Sequence, residues 1–107
     1  MENKTAFLEL FGESPIFKVL DFLVVNEDFD YSMTDIAVQS EVGYSTLKLF
    51  WSRLEKEGIV ANTRAVGKAK MYKLNTSSPI VKKFRDFYWA TTKHHVQNKL
   101  RVQEITA

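Results

Sequence analysis

The chain has 107 residues, 45% of them hydrophobic and 26% charged, with no cysteine and a formal net charge of +2. This suits one domain over residues 1–107 with a modest core, excludes disulfides, thiolate metal sites and a cysteine nucleophile, and fits a reducing compartment. No run approaches the roughly 18 apolar residues that a bilayer span needs, and acids interrupt MENKTAFLEL, so neither a membrane anchor nor a signal peptide is expected and the expected location is the cytoplasm.

In chain order, KTAFLELF (4–11) reads as a short amphipathic helix with Phe7, Leu8 and Phe11 on one side, ended by Gly12. Ser14-Pro15 starts a second helix: Ser caps it, and Pro fits a first turn whose N–H would be unpaired anyway. Ile16, Val19, Leu20 and Leu23 then recur at helical spacing, which predicts a core helix. NEDFD (26–30) is a polar stop. Ser32-Met33-Thr34-Asp35 has the form of a capping box and opens a short helix with Ile36 and Ala37 turned inward. SEVG (40–43) is a turn, and GYSTLKLFWSRLEKEG (43–58) is the next helix, stopped by Gly58.

Two strand-like runs follow, IVANTRAV (59–66) and AKMYKLN (69–75), joined at Gly67-Lys68. Gly at the first loop position predicts a type II′ hairpin turn. Val60, Asn62, Arg64 and Val66 alternate with Ile59, Ala61, Thr63 and Ala65, and Tyr72 and Leu74 are expected to face the core. Ser78-Pro79 repeats the helix-start device, and the last helix is predicted over about 79–101. The core is expected over about 14–76. The expected class is mainly α with a small β-hairpin (α+β). Two helices joined by a tight turn and followed at once by a basic hairpin form a winged helix–turn–helix, here with an added N-terminal helix and a long C-terminal one.

Charge is segregated along the chain. Residues 1–43 carry nine acids and two bases (−7), residues 44–73 seven bases and two acids (+5), and residues 74–107 six bases and two acids (+4). An acidic front and a basic middle suggest a face built for a polyanion. On the helix over 43–58, Leu47, Trp51 and Leu54 form one stripe with Phe50 at its border. The opposite arc holds Tyr44, Ser45, Thr46, Lys48, Leu49, Ser52 and Arg53. Small or hydrogen-bonding side chains near a helix start suit base edges in a major groove, and cations suit the flanking phosphates. Leu49 can touch a thymine methyl or cover a neighbouring side chain. In the hairpin, Arg64, Lys68 and Lys70 cluster around the tip with no acid between Gly58 and Lys73. A protruding basic ribbon can straddle a phosphate backbone or enter a minor groove.

DIAVQSEVGYSTLKLFWSRLEKEGIV resembles the helix–turn–helix of winged-helix transcription regulators, whose usual form is an I-A dipeptide, a turn, S-x-x-T-[VL], then L-E-x-x-G-[IL]-[VI]. The longer ordered set FGESP, FDYSMTDIA, LEKEGIVANTRAVGKAKMYKLN and SP-[IV]-V looks like a group of archaeal regulators of that kind, over roughly residues 10–85. The resemblance implies a DNA-binding regulator. By position, Tyr44, Ser45, Thr46, Lys48 and Leu49 match recognition-helix contacts, and Arg64, Lys68 and Lys70 match the wing. Two positions depart from the pattern. Glu41 stands where such turns commonly have Gly, and Leu49 replaces an often polar residue.

The C-terminal helix shows a broad apolar stripe (Ile80, Val81, Phe84, Phe87, Tyr88, His95) and a narrow one nearly opposite (Trp89, Val96, Leu100). Two apolar sides call for two partners, so a homodimer is expected in which one stripe closes the domain and the other meets a second copy, with Phe7, Leu8 and Phe11 as companions of the helix. His94 and His95 diverge in direction, and no carboxylate lies one helical turn from either, so no metal is expected. There is no P-loop, Gly-rich dinucleotide turn, G-x-S-x-G or carboxylate pair in an apolar setting. No cofactor, no small-molecule ligand and no enzymatic activity are expected.

The expected function is sequence-specific binding of double-stranded DNA as a transcription regulator, cytoplasmic and associated with the nucleoid. Tyr44, Ser45, Thr46, Lys48 and Leu49 are expected at base edges, and Arg53, Arg64, Lys68 and Lys70 at phosphates. Two alternatives are an architectural or partition-type DNA binder and a winged-helix protein–protein module.

Overall fold

The computed structural model describes residues 4–106; Glu2, one of the acids counted above, lies outside them. In chain order they form α1 (Ala6–Phe11), α2 (Pro15–Val25), β1 (Tyr31–Ser32), α3 (Met33–Ser40), α4 (Tyr44–Lys56), β2 (Val60–Val66), β3 (Ala69–Leu74) and α5 (Pro79–Thr106).

Hydroxyl caps start α1, α2, α3 and α5, with those at Ser14, Ser32 and Ser78 as the sequence predicts. Thr5 Oγ1 accepts from Leu8 N–H at 3.3 Å, Ser14 Oγ from Phe17 N–H at 3.4 Å, Ser32 Oγ from Asp35 N–H at 3.1 Å and Ser78 Oγ from Val81 N–H at 3.4 Å. Each satisfies one of the orphan donors of a first turn. Two helices end in the same backbone motif. After α4, Ile59 N–H reaches Leu54 C=O at 2.9 Å and Gly58 N–H reaches Glu55 C=O at 3.1 Å, with Gly58 at φ 74°. After α3, Val42 N–H reaches Ala37 C=O at 2.9 Å and Glu41 N–H reaches Val38 C=O at 3.2 Å. The left-handed position of this Schellman motif is held by Glu41, at φ 58° and ψ 45°. The turn between the two helices is therefore made without the usual glycine.

The sheet has the order β1-β3-β2 and is antiparallel throughout. It has one more strand than the hairpin alone: Tyr31 pairs with Tyr72 and Ser32 with Met71. Gly67 sits at φ 61° and Lys68 is outside the positive-φ region, as a type II′ turn requires. The expected alternation along β2 breaks at a bulge. Asn62 faces Tyr72 and Arg64 faces Met71, so Thr63 is the extra residue.

Val19, Leu23 and Val24 of α2, Ile36 and Ala37 of α3, Leu47, Trp51 and Leu54 of α4, and Val60, Tyr72 and Leu74 of the sheet are buried together. The core extends beyond 14–76 to Phe7, Val81 and Tyr88. The broad stripe of α5 is thus the one that closes the domain, and Phe7 and Tyr88, expected at the dimer seam, lie inside the core. Phe7 is 3% exposed and Tyr88 1%, and the Phe7 ring lies 5.4 Å from Phe17, 5.5 Å from Phe84 and 5.4 Å from Tyr88. Burying side chains of this size stabilises the fold by roughly 1.5–3 kcal/mol each, so α1 and α5 close the domain itself. Leu8 and Phe84 are half-buried against the same cluster. Tyr88 Oη and Thr5 Oγ1 both donate to Asp21 Oδ1, at 2.7 and 2.6 Å. Burial, and then the bond to Asp21, push the Tyr88 phenol above the ordinary tyrosine range.

The last helix runs past the expected end near Arg101 to Thr106. Its 28 residues span about 42 Å, and the protein measures 57 × 31 × 21 Å. Phe87, Trp89, Val96, Leu100 and Val102 remain about half exposed along it, and the Phe11 ring of α1 packs at a tilt against Phe87, with centroids 5.3 Å apart.

Candidate nucleic-acid interface

The helix α4 is amphipathic in the sense its sequence predicts. Leu47, Trp51 and Leu54 are buried, Phe50 is half-buried at the border, and Tyr44, Ser45, Lys48, Leu49, Ser52 and Arg53 are exposed, with Thr46 between. Trp51 meets Tyr72 of β3 nearly edge-on, with ring centroids 5.2 Å apart. That contact ties the buried side of α4 to the base of the hairpin. Gly43 begins the helix with no side-chain cap. Lys48 Nζ lies 5.6 Å from the centroid of the Tyr44 ring, a cation–π distance. Leu49 is 79% exposed, so the alternative in which it covers a neighbour does not hold.

Arg64, Lys68 and Lys70 are all exposed on the hairpin, and Arg64 is held in an ion pair. Arg64 Nε and Nη2 donate to the two oxygens of Asp30 at 2.9 and 3.1 Å, and Thr63 Oγ1 donates to Asp30 Oδ2 at 2.5 Å. The bulge allows this, since it breaks the alternation between the neighbours Thr63 and Arg64. The hydrogen bonds from Arg64 and Thr63 lower the Asp30 carboxyl to about pH 2, and Asp30 in turn raises Arg64. Arg64 is thus a clasp between the hairpin and the loop before β1, and the acid-free hairpin receives its carboxylate from outside.

The same loop holds α5. Arg85 Nε and Nη2 donate to Glu27 Oε2 and Oε1 at 2.8 and 2.6 Å, which raises Arg85. Nothing in NEDFD as a polar stop signals these two pairings, whose partners lie 34 and 58 residues away. His95 Nε2 likewise lies 3.2 Å from Glu9 Oε2 of α1, a carboxylate that spacing along α5 alone does not reveal. Among the described residues no group of three or more His, Asp or Glu side chains is placed to hold a metal ion, and no helix is long and apolar enough to cross a membrane. An open groove of 670 Å³ runs along α5 past Arg85, Trp89, Lys93 and Val96.

A helix–turn–helix whose second helix leads into an antiparallel hairpin, with a short third strand on the hairpin's far side, defines the winged helix–turn–helix fold. By sequence the chain matches no protein-family model and no curated protein. Solved structures match it. HlyU from Vibrio cholerae N16961 is 23% identical with a TM-score of 0.52, over 65% of this chain and 73% of that one. Sso10a-2, a DNA-binding protein from Sulfolobus solfataricus, is 12% identical with a TM-score of 0.52, over 84% and 94%. Wild-type Lactococcus lactis ZitR in complex with DNA is 13% identical with a TM-score of 0.53, over 76% and 57%. At these identities the likeness establishes the fold.

Proposed function

We propose that the chain binds double-stranded DNA in a sequence-specific way and acts as a transcription regulator. The observation that carries this reading is the exposed arc of α4. From Tyr44 to Arg53 it presents Ser45, Lys48, Ser52 and Arg53 together with the exposed Tyr44 and Leu49, and no acid, while Leu47, Trp51 and Leu54 anchor the opposite side in the core. Base edges ask for short hydrogen-bonding groups, and phosphates ask for cations. Tyr44, Ser45, Thr46, Lys48 and Leu49 are assigned to the groove, and Arg53, Lys68 and Lys70 to phosphates. Arg64 is given the clasp role first, because Asp30 already neutralises it. The solved DNA complex of ZitR and the DNA-binding description of Sso10a-2 support the reading by likeness of fold. The ordered motif set is what suggests kinship with archaeal regulators. A cytoplasmic location beside the nucleoid follows from the same reading.

The protein is further proposed to act as a homodimer. Trp89, Val96 and Leu100 stand about half exposed on one side of α5, and a two-fold pairing of that stripe would bury it. A second reading, a winged-helix module that binds another protein, draws on the exposure of Leu49 and Tyr44; it requires that no duplex bind even at low salt. The test is a salt titration of duplex binding for wild type, Lys68→Ala and Lys70→Ala. Each lost phosphate contact lowers the log–log slope by about 0.9. Slopes equal to wild type would remove the hairpin tip from the interface.

A further inference from the structure

Among the described large apolar residues, Leu49 is the most exposed, at 79%. It does not sit at an edge. At about 100° per residue, Ser45, Leu49, Ser52 and Lys56 occupy the middle of the wet face of α4, opposite Leu47, Trp51 and Leu54. Ser45 and Arg53 lie one turn to either side of it, with Lys48 adjacent, and all are exposed. An apolar protein surface docking here would have to strip water from Lys48 and Arg53 to reach a single leucine. Protein interfaces instead centre on contiguous apolar patches from which charge is depleted.

The surroundings of Leu49 match a different object: one small apolar group set in a polar, anionic groove. In duplex DNA that object is the C5-methyl group of thymine, which projects into the major groove beside hydrogen-bonding base edges and between phosphate backbones. We infer that Leu49 is a specificity-determining residue that reads a thymine methyl, with Ser45 and Lys48 facing the polar edges beside it and Arg53 facing a phosphate. This rests on the duplex-DNA reading above and names which base feature the centre of α4 selects. It also gives a physical reason for an apolar residue where the regulators this chain resembles often carry a polar one.

The test pairs a change in the protein with a change in the DNA. Duplexes bound by the wild-type protein are selected from a random-sequence library. The enriched duplex is then remade with deoxyuridine in place of each thymine in turn, which removes only the methyl group. Affinities are measured by fluorescence anisotropy for wild type, Leu49→Ala and Leu49→Val. Losing one buried methyl contact weakens binding about fourfold. Wild type is expected to lose about that factor at one thymine per half-site, Leu49→Ala to lose nothing from the same exchange, and Leu49→Val to fall between. Leu49→Val keeps the comparison measurable where the alanine variant binds too weakly. Because the side chain is exposed, both variants should melt with wild type. No loss at any thymine in wild type, or an equal loss in wild type and the variants, overturns the inference while leaving duplex binding intact. Failure of wild type to retain any duplex at low salt overturns the duplex-DNA reading and this inference with it.

Discussion

Replacing Glu41 by glycine should stabilise the domain. Glu41 holds φ 58° and ψ 45° at the end of α3, a conformation in which a Cβ crowds the following carbonyl at a cost of about 1–2 kcal/mol. Glycine removes that crowding but loses about 0.5–1 kcal/mol more backbone entropy on folding. The net expected gain is about 0.5–1 kcal/mol, or about 3–6 °C in Tm for a domain of this size. Gly58 is the internal control, since it holds φ 74° in the same motif at the end of α4. Gly58→Ala should cost about 1 kcal/mol for the same steric reason. Urea unfolding followed by circular dichroism measures both, with the m-value unchanged if only the folded-state strain is altered. A lower midpoint for Glu41→Gly would mean instead that the Glu41 side chain contributes more to the folded state than its backbone conformation costs.

The Asp30 clasp makes a pH prediction. Its folded carboxyl titrates at about pH 2, below the unfolded value near 3.9, so its stabilising effect is present above about pH 4 and fades as pH falls through about 2. NMR titration of the Asp30 carboxyl should find the low midpoint, which Arg64→Ala should return toward 4; a wild-type midpoint near 4 would mean that the clasp is open in solution. Trp89→Glu should put a charge into the proposed seam of the homodimer and yield the mass of one chain by light scattering, where wild type gives two. A wild-type mass of one chain at micromolar concentration would remove the dimer from the account.

The helices and their ends were legible because caps and stops are local. Ser14-Pro15, Ser32, Ser78 and Gly58 act within four residues of themselves, and the period that buries Leu47, Trp51 and Leu54 is visible along one helix. What was hidden depends on partners far along the chain. A two-residue strand such as β1 carries no period; it pairs because β3 offers an edge, and Tyr31 also packs on Phe22 at 4.9 Å. Phe7 and Tyr88 announce themselves as apolar, but their pairing across 81 positions, which turns expected seam residues into core, is a tertiary fact. The bulge at Thr63 and the capture of Arg64 have the same origin, a carboxylate 33 and 34 residues earlier. In the candidate interface, the exposed arc of α4 followed from the sequence; the solitary exposure of Leu49 needed the fold, because only the positions of α3 and the sheet decide whether anything covers it.

In the proposed function the exposed arc of α4 meets DNA. Mapping amide chemical shifts of the isotopically labelled protein as duplex DNA is added tests it most directly. Saturable shifts are expected between Tyr44 and Arg53 and at Lys68 and Lys70, fading as salt is raised. Shifts confined to α5, or none at low salt, would contradict it.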